Sequence, residues 1–321
     1  MSAYRFCRTD DVALLVDALN RCWSPYFPDE PPVTAVSFKR SIRDLQVWCS
    51  SCMVAFSGSD PIGVLIGAKR PGATLVHKIA VHPDHLRQGH ARHLLASLGS
   101  KLAILGPPRI IAEVPESLAP ACGLFSASGY TQEALLTDYV LQREAHDVPE
   151  PGRFLIPVTV DDLAANDLLE QAHPPVCWDR SVETLTARKD DISGLAVASD
   201  ERIEAYVLYV KPEEDVEMWK FGNLETSHAL ATASASEAPA VAGAMPDFQI
   251  SKSPNFHILL LRSFIEDGGA RLKQLLSRLG LGTFRFPKVH PAEISRECLE
   301  TLGFRPTGGH LLYAASSTRR R

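Results

Sequence analysis

The stretch "VHPDHLRQGHARHLL", residues 81–95, ends an apolar run at a proline, crosses a basic turn with one glycine, and resumes as a helix. A helix entered this way presents backbone N–H groups without intrahelical partners, backed by the positive end of the helix dipole. Such a terminus binds anions. Gly89 lets a phosphate approach the backbone with no side chain between, Ala91 keeps the next position small, and Arg87 and Arg92 add positive charge. A phosphate-bearing ligand is the simplest chemistry for this turn. The plain structural alternative is that Gly89 only shapes a tight turn.

Two nearby residues are of types that can hold or move a proton. His77 lies on the apolar run before the turn and Glu113 near the end of the next one. A histidine titrates near neutrality unaided, whereas a glutamate holds an ammonium more readily than it accepts a proton. Five histidines, His77, His82, His85, His90 and His93, fall within 17 residues, and His90 and His93 have the i, i+3 spacing of helical metal ligands. No Cys or Glu joins them at ligand spacing, so no metal is expected. Cys49 and Cys52 form a lone C-x-x-C followed by the strand-like Met53-Val54-Ala55-Phe56, which suits neither zinc nor thioredoxin chemistry. With an odd total of seven, the cysteines read as buried hydrophobes in a reducing compartment.

The elements that must position these residues follow from periodicity. The first half reads as a strand at 4–8, helices at 9–23 and 34–45, strands at 53–57, 62–68 and 74–81 forming an antiparallel meander, a helix at 89–105, a strand at 109–114, a helix at 118–128 and a strand at 139–142. The second half repeats that order. It has a strand at 154–158, helices at 161–172 and 181–189, a hairpin at 193–198 and 203–210, a strand at 257–261, a helix at 270–279, a strand at 283–286, a helix at 292–302 and a strand at 310–314. Matching order and period predict an internal duplication. The linker falls at 145–152, and an Ala/Ser-rich insertion at about 212–254 interrupts the second copy with too little bulky apolar surface to offset its ordering entropy, so disorder is expected in part of it.

Composition excludes other classes. The chain has 321 residues, 45% of them hydrophobic, enough for two cores. A net charge of −5 and the lack of a basic stripe interleaved with aromatics argue against nucleic acid as a partner. Arg319, Arg320 and Arg321 read as a solvated tail. The N-terminal residues lack the apolar core of a signal peptide and no run could span a bilayer, so a soluble, cytoplasmic protein with no membrane partner is expected.

The segment "IAVHPDHLRQGHARHLL" resembles the coenzyme A-binding motif of the GNAT superfamily of N-acetyltransferases: an apolar strand, Val-x-Pro, then Gln/Arg-x-x-Gly-x-Gly/Ala opening a long helix. Gly89 and Ala91 fill the fourth and sixth places. Leu86 departs from the first, with Arg87 one position on. "GLFSASGY" is similar to the family's helix ending in Gly-Phe, with Gly129 and Tyr130 at that end, and the resemblance covers residues 3 to about 144. The second half matches in outline only. It keeps "ETLGF", with Gly303 and Phe304, but its loop "RSFIEDGGARLKQLL" sets Glu266 and Asp267 before Gly268 and Gly269, where they would repel a pyrophosphate.

The resemblance implies an α/β (α+β) fold of two tandem GNAT-like domains, each a mixed, mostly antiparallel twisted sheet flanked by helices. These would be a coenzyme A-binding domain over 1–144 and a degenerate copy over 153–321 that walls the acceptor site or makes a dimer contact. It further implies acetyl-CoA as co-substrate, held by Ile79, Ala80, Val81, Arg87, Gln88, Gly89, His90, Ala91, Arg92 and Phe125. Transfer would be direct, in a ternary complex, to a primary amine of a small molecule, peptide or protein, by a monomer or homodimer. Glu113 and His77 are the candidate bases, on two strands that splay apart in the family, and Glu113 is favoured as the nearer to the gap. The family's usual acid is a tyrosine where this chain has Phe125, and the second copy has Leu299 there. Protonation of the thiolate then falls to Tyr130, Tyr139, Cys122 or water. The alternative function is an acyl-CoA-binding or regulatory protein without catalysis. Acceptor contacts in the family come from the variable first helices and loops, here "CWSPYFPDEPPV" and the 212–254 insertion. Asp29 and Glu30 there suit a cationic acceptor or are simply solvated loop charges.

Overall fold

The computed structural model describes residues 2–144, 154–169, 176–210 and 255–317. The linker at 145–152, the insertion at 212–254 and the three terminal arginines lie outside the described residues. The first half comprises β1 (Ser2–Phe6), α1 (Val12–Cys22), α2 (Ala35–Leu45), β2 (Met53–Ser57), β3 (Asp60–Lys69), β4 (Thr74–Val81), α3 (His90–Leu105), β5 (Arg109–Pro115), α4 (Ala119–Ala127) and β6 (Thr131–Arg143). The second comprises β7 (Leu155–Val158), α5 (Val160–Ala165), α6 (Val182–Ala187), β8 (Ser193–Ala198), β9 (Ile203–Val210), β10 (Asn255–Ser263), α7 (Ala270–Leu279), β11 (Gly282–Val289), α8 (Arg296–Thr301) and β12 (Arg305–Ser316).

Local chemistry accounts for these elements. Thr34 and Ser37 cap α2 reciprocally, and Thr159 and Asp162 cap α5 in the same way. Leu15, Ala18, Leu19 and Cys22 put one face of α1 into a core with Phe38, Val54, Val64, Ile66 and Leu75. On the opposite sheet face, Leu94, Leu95, Leu98 and Leu102 of α3 pack with Leu65, Val76, Ala112 and Phe125. The second half repeats this two-sided burial, with Leu163 and Leu185 against Tyr206 and Leu208, and with Leu272, Leu275, Leu276 and Leu299 against Phe284 and Phe286. Among the described residues, no helix is long and apolar enough to cross a membrane.

Among the described residues, twelve strands form one sheet in the order β1-β2-β3-β4-β5-β12-β6-β11-β10-β9-β8-β7. The last strand of the chain therefore lies inside the first half. It is antiparallel to β5 from His310↔Pro115 to Ser316↔Arg109, and antiparallel to β6 from Arg305↔Val140 to Ala314↔Thr131. β6 in turn pairs with β11 of the second half, from Gly282↔Arg143 to Val289↔Thr137. Each half gives one strand to the other.

This exchange explains why both closing strands are longer than their apolar pattern. β6 begins at Thr131 rather than 139, and β12 at Arg305 rather than 310, because exposed residues such as Thr131, Gln132, Arg305 and Pro306 stand in register on the partner strand. Several helices are shorter than their sequence pattern, α5 and α8 the most. α5 stops at Ala165, with Asp167 in the left-handed region at φ 55°, and α8 starts only after Ser295 caps it.

A shared central ladder makes the halves one folding unit. Calorimetry is expected to give a single unfolding transition, and a chain ended after Gly303 should lose the ordered first half along with the second. A truncated chain whose residues 2–144 stay protease-resistant and folded would refute this.

Candidate active site

Two gaps open in the sheet where parallel neighbours diverge. β4 and β5 pair only at Thr74↔Ile110 and Leu75↔Ile111, so residues 76–81 have no sheet partner on that side. β10 and β11 pair only from Asn255↔Thr283 to His257↔Arg285. In β4 the register with β3 slips, Val76 facing Gly67 and Lys78 facing Ile66, which makes His77 the extra residue of a bulge. Gly67, at this slip, is needed for another neighbour, because a Cβ there would come 2.5 Å from the Ser51 carbonyl oxygen. The bulge interrupts alternation, so His77 and Val81 need not share a face. Lys78 points toward α1, with its ammonium 3.9 Å from the centre of the Trp23 ring.

A cavity of about 230 Å³ opens beside the first gap, and both halves line it. The first half supplies Leu19, Trp23, Phe27, Phe38, His77, Lys78 and Glu113, and the second supplies Cys177, Asp179, Arg180, His257 and Lys288. Trp23 and Phe27 stack at 4.5 Å, and the Trp23 indole N–H donates to Glu30 at 3.0 Å.

At the cavity's base one ammonium joins the halves. Lys288 Nζ lies 2.7 Å from Asp179 and 3.1 Å from Glu113, and the other Glu113 oxygen accepts the backbone N–H of Trp178 at 2.7 Å. Thr131 and Arg305 each follow a Gly-aromatic pair, so Asp138 and Leu312 hold equivalent places in the exchanged strands. Glu113 faces Leu312, and Lys288 lies in the β11 bulge opposite Asp138. The two charges are therefore counterparts in the duplication, and they have become an ion pair. Lys288 adopts φ 52°, held by its N–H donating to Asp138 at 2.7 Å and its carbonyl accepting from Arg180 at 2.8 Å. Burial works against its charge, but Asp179 and Glu113 outweigh that and hold the ammonium well above the ordinary lysine range. Asp179 is likewise held below the usual carboxylate range, its burial outweighed by Lys288.

The second gap is filled by the protein itself. Arg180, 1% exposed, donates to the Leu259 carbonyl on β10 at 3.1 Å and to the Lys288 carbonyl on β11, and pairs with both oxygens of Glu293 at 2.5 and 2.8 Å. The N-terminus of α7 is also occupied: Asp267 accepts the backbone N–H groups of Gly269 at 3.0 Å and Arg271 at 3.1 Å. α3 differs. Its N-cap, Gly89, stands at φ 85° as Gly269 of α7 stands at 86°, but among the described residues no side chain accepts its first N–H groups as Asp267 does in α7.

The residues singled out by sequence divide between these places. Ile79, Ala80 and Val81 lie on the open edge of β4, where Tyr26 donates its hydroxyl to the Val81 carbonyl at 2.6 Å. Arg87, at φ 62°, Gln88, Gly89 and Arg92 are exposed around the start of α3, and Ala91 is half-buried. His90 turns inward to the Tyr4 hydroxyl at 2.7 Å, and His93 stacks on the Tyr4 ring. Phe125, 2% exposed, lies in the core, edge-on to Tyr130 and stacked on Tyr313 of β12. Burial pushes the Tyr130 hydroxyl up to about 12, and Tyr139 sits in the core of the second half. The Cys122 thiol donates to the Pro115 carbonyl at 3.7 Å, at the end of β5.

Sequence reasoning passed over Lys78, Cys177, Asp179, Arg180, His257 and Lys288. One signal pointed to part of that set: the Cys-Trp pair of Cys22-Trp23 recurs as Cys177-Trp178 in the second copy. Among the described residues, Glu113, Cys177 and Asp179 bring three donor atoms within 4.8 Å of one another, as metal ligands do, and the Lys288 ammonium pairs with both of those carboxylates.

Burial, reinforced by Lys78, lowers His77 to about 3, and burial with Arg188 lowers His257 to about 4. Unfolded, both take up protons near pH 6.5, so their contribution to stability is complete above that pH and is lost as pH falls toward 4. The thermal midpoint should drop between pH 6.5 and 4.5, and less steeply in His257→Gln; a flat midpoint in the parent would contradict this. Arg180→Met strands the buried Glu293 carboxylate and should cost about 3–5 kcal/mol in urea unfolding, with partial recovery when Glu293→Gln is added.

Residues 12–130 match the family model described as the acetyltransferase (GNAT) family. No curated protein matches the chain in sequence. Among solved structures, a tandem GNAT protein from the clavulanic acid biosynthesis pathway aligns over 100% of both chains, with a TM-score of 0.59 at 15% identity. A GCN5-related N-acetyltransferase from Sphaerobacter thermophilus aligns over 99% of this chain and 96% of its own, with a TM-score of 0.58 at 12% identity. Another, from Anabaena variabilis, aligns over 99% and 73%, with a TM-score of 0.59 at 10% identity. Residues 12–130 thus match the model of the acetyltransferase (GNAT) family, and the chain as a whole shares its fold with a tandem GNAT protein.

Proposed function

We propose that the protein transfers an acetyl group from acetyl-CoA to a primary amine, with the chemistry confined to the first half. The observation that carries this reading is the asymmetry of the two copies. The second copy fills its gap with Arg180 and Glu293 and caps α7 with Asp267, whereas the first leaves the edge of β4 unpaired and α3 without a side-chain cap. The backbone N–H groups at the start of α3, with Arg87, Gln88 and Arg92, would hold the pyrophosphate, and the open edge of β4 at Ile79, Ala80 and Val81 would hold the pantetheine arm. Acetyl-CoA supplies the activated thioester. The acceptor amine enters through the shared cavity, and Glu113, paired with Lys288, orients it or takes its proton, directly or through a water. His77, with its affinity for protons so reduced, serves better as a neutral hydrogen-bonding wall than as the base.

A second reading, a module that binds acyl-CoA without turnover, draws on two observations. Both Glu113 oxygens already have donors, and the place of the family's acid tyrosine is filled by the buried Phe125. Calorimetry with acetyl-CoA, followed by a thiol-release assay over a panel of amines, separates the two, since binding with no turnover on any amine would favour the second.

Gly89→Glu brings a side chain and a negative charge to the phosphate seat and should weaken acetyl-CoA binding about tenfold or more, a change of roughly 1.4 kcal/mol. Gly269→Glu should leave binding unchanged, and an equal loss from both would overturn the assignment to the first half. Glu113→Gln should lower turnover on a responsive amine by ~10²-fold at nearly constant acetyl-CoA affinity. If its pH–rate profile instead matches the parent while His77→Gln loses the low-pH limb, the proton acceptor is His77.

A further inference from the structure

We propose that Lys78 is a site of self-acetylation: with acetyl-CoA bound and no acceptor in the cavity, its side-chain amine takes the acetyl group. The inference rests on the acyl-transfer reading above. Two lysines line the cavity, and their surroundings differ. Lys288 is fixed between Asp179 and Glu113, its charge reinforced, and its lone pair is withheld from any electrophile. Lys78 directly precedes Ile79, Ala80 and Val81 on the unpaired edge of β4, is 9% exposed, and rests against the face of Trp23. Burial is the main influence on it and lowers its amine to about 8, with Glu30 opposing the shift and Lys288 adding to it. Near pH 8 a large fraction of Lys78 is therefore neutral and nucleophilic, whereas an ordinary lysine is almost wholly charged. Glu30 and Lys288 are the charges that act on it, and the cavity is also lined by the titratable or charged His77, Asp44, Glu113, Asp179, Arg188 and His257.

The chemistry balances without a further reactant. The neutral amine attacks the thioester carbonyl carbon, a C–N bond forms and the C–S bond breaks. The thiolate takes the proton that the nitrogen loses, and the proton shed earlier by the ammonium goes to solvent. The product is an Nε-acetyl-lysine that has lost its charge against Trp23 and stands in the acceptor cavity, so modification should also block turnover on added amines.

The test uses the full-length protein incubated with acetyl-CoA alone, with adducts mapped by peptide mass spectrometry and acetyl-CoA binding measured in parallel by calorimetry. The expected result is an acetyl adduct on the peptide carrying Lys78. It should form about tenfold or more faster at pH 8.5 than at pH 6.5, be suppressed by Gly89→Glu and be absent from Lys78→Arg. Binding of acetyl-CoA with no adduct at Lys78, or with adducts only at Lys288 or exposed lysines, overturns the self-acetylation proposal and leaves the acyl-transfer reading intact. A failure of acetyl-CoA to bind the parent protein overturns both.

Discussion

The constraint on which the structure turns is that each interior strand must satisfy its backbone N–H and C=O groups on both sides. β5 diverges from β4 after two residue pairs, so over most of its length its ladder depends on the other neighbour, and that neighbour is β12 from the far end of the chain. β11 depends in the same way on β6. An unpaired strand at either position would leave an edge in the middle of the molecule, open to the wrong partner. The exchange closes both edges, and it brings the ends of β5 and β11 close enough for Glu113 and Lys288 to meet.

That meeting sets the electrostatics of the cavity. In an exact duplication the two positions would carry like residues, and two like charges buried side by side repel each other. Here one copy carries a carboxylate and the other an ammonium, with Asp179 as a second anion, so the charges compensate where solvent cannot. The second copy shows what happens when ligand seats are given to the protein's own side chains. Asp267 caps α7 where an anion would sit, and Arg180 bridges the diverging strands through the Leu259 and Lys288 carbonyls. Both are local satisfactions of backbone groups. They leave those backbone groups of the second half paired within the chain.

The sequence carried much of this arrangement and omitted the rest for definable reasons. Element order, the meander of β2, β3 and β4, the duplication and the glycine turn before α3 were all legible, because each depends on residues close together in the chain. The strand exchange was not legible. Periodicity reports which face of a strand is buried and says nothing of which strand lies beside it, so Arg305 to Gly309 and Thr131 to Asp138 read as loop. The facing of His77 could not be read from a period of two, because a one-residue bulge breaks the alternation there. Asp179, Arg180 and Lys288 were missed because their roles come from contacts more than 60 residues away in sequence, as in the Trp178 to Glu113 hydrogen bond. An isolated charge in a polar stretch looks the same whether it faces solvent or closes a buried pair.

The continuous sheet also fixes how a substrate can arrive. Two lobes joined by a linker can swing apart and admit a bulky guest by hinge rotation. Here such a rotation would have to tear the β5–β12 and β6–β11 ladders, which together hold some of the longest pairings in the molecule. The cavity between the halves is therefore a fixed aperture, and breathing is left to side chains and loops at its rim, such as the stacked Trp23 and Phe27. Any selection of a guest by size would then operate through rotamers, on the fast timescale of side-chain motion.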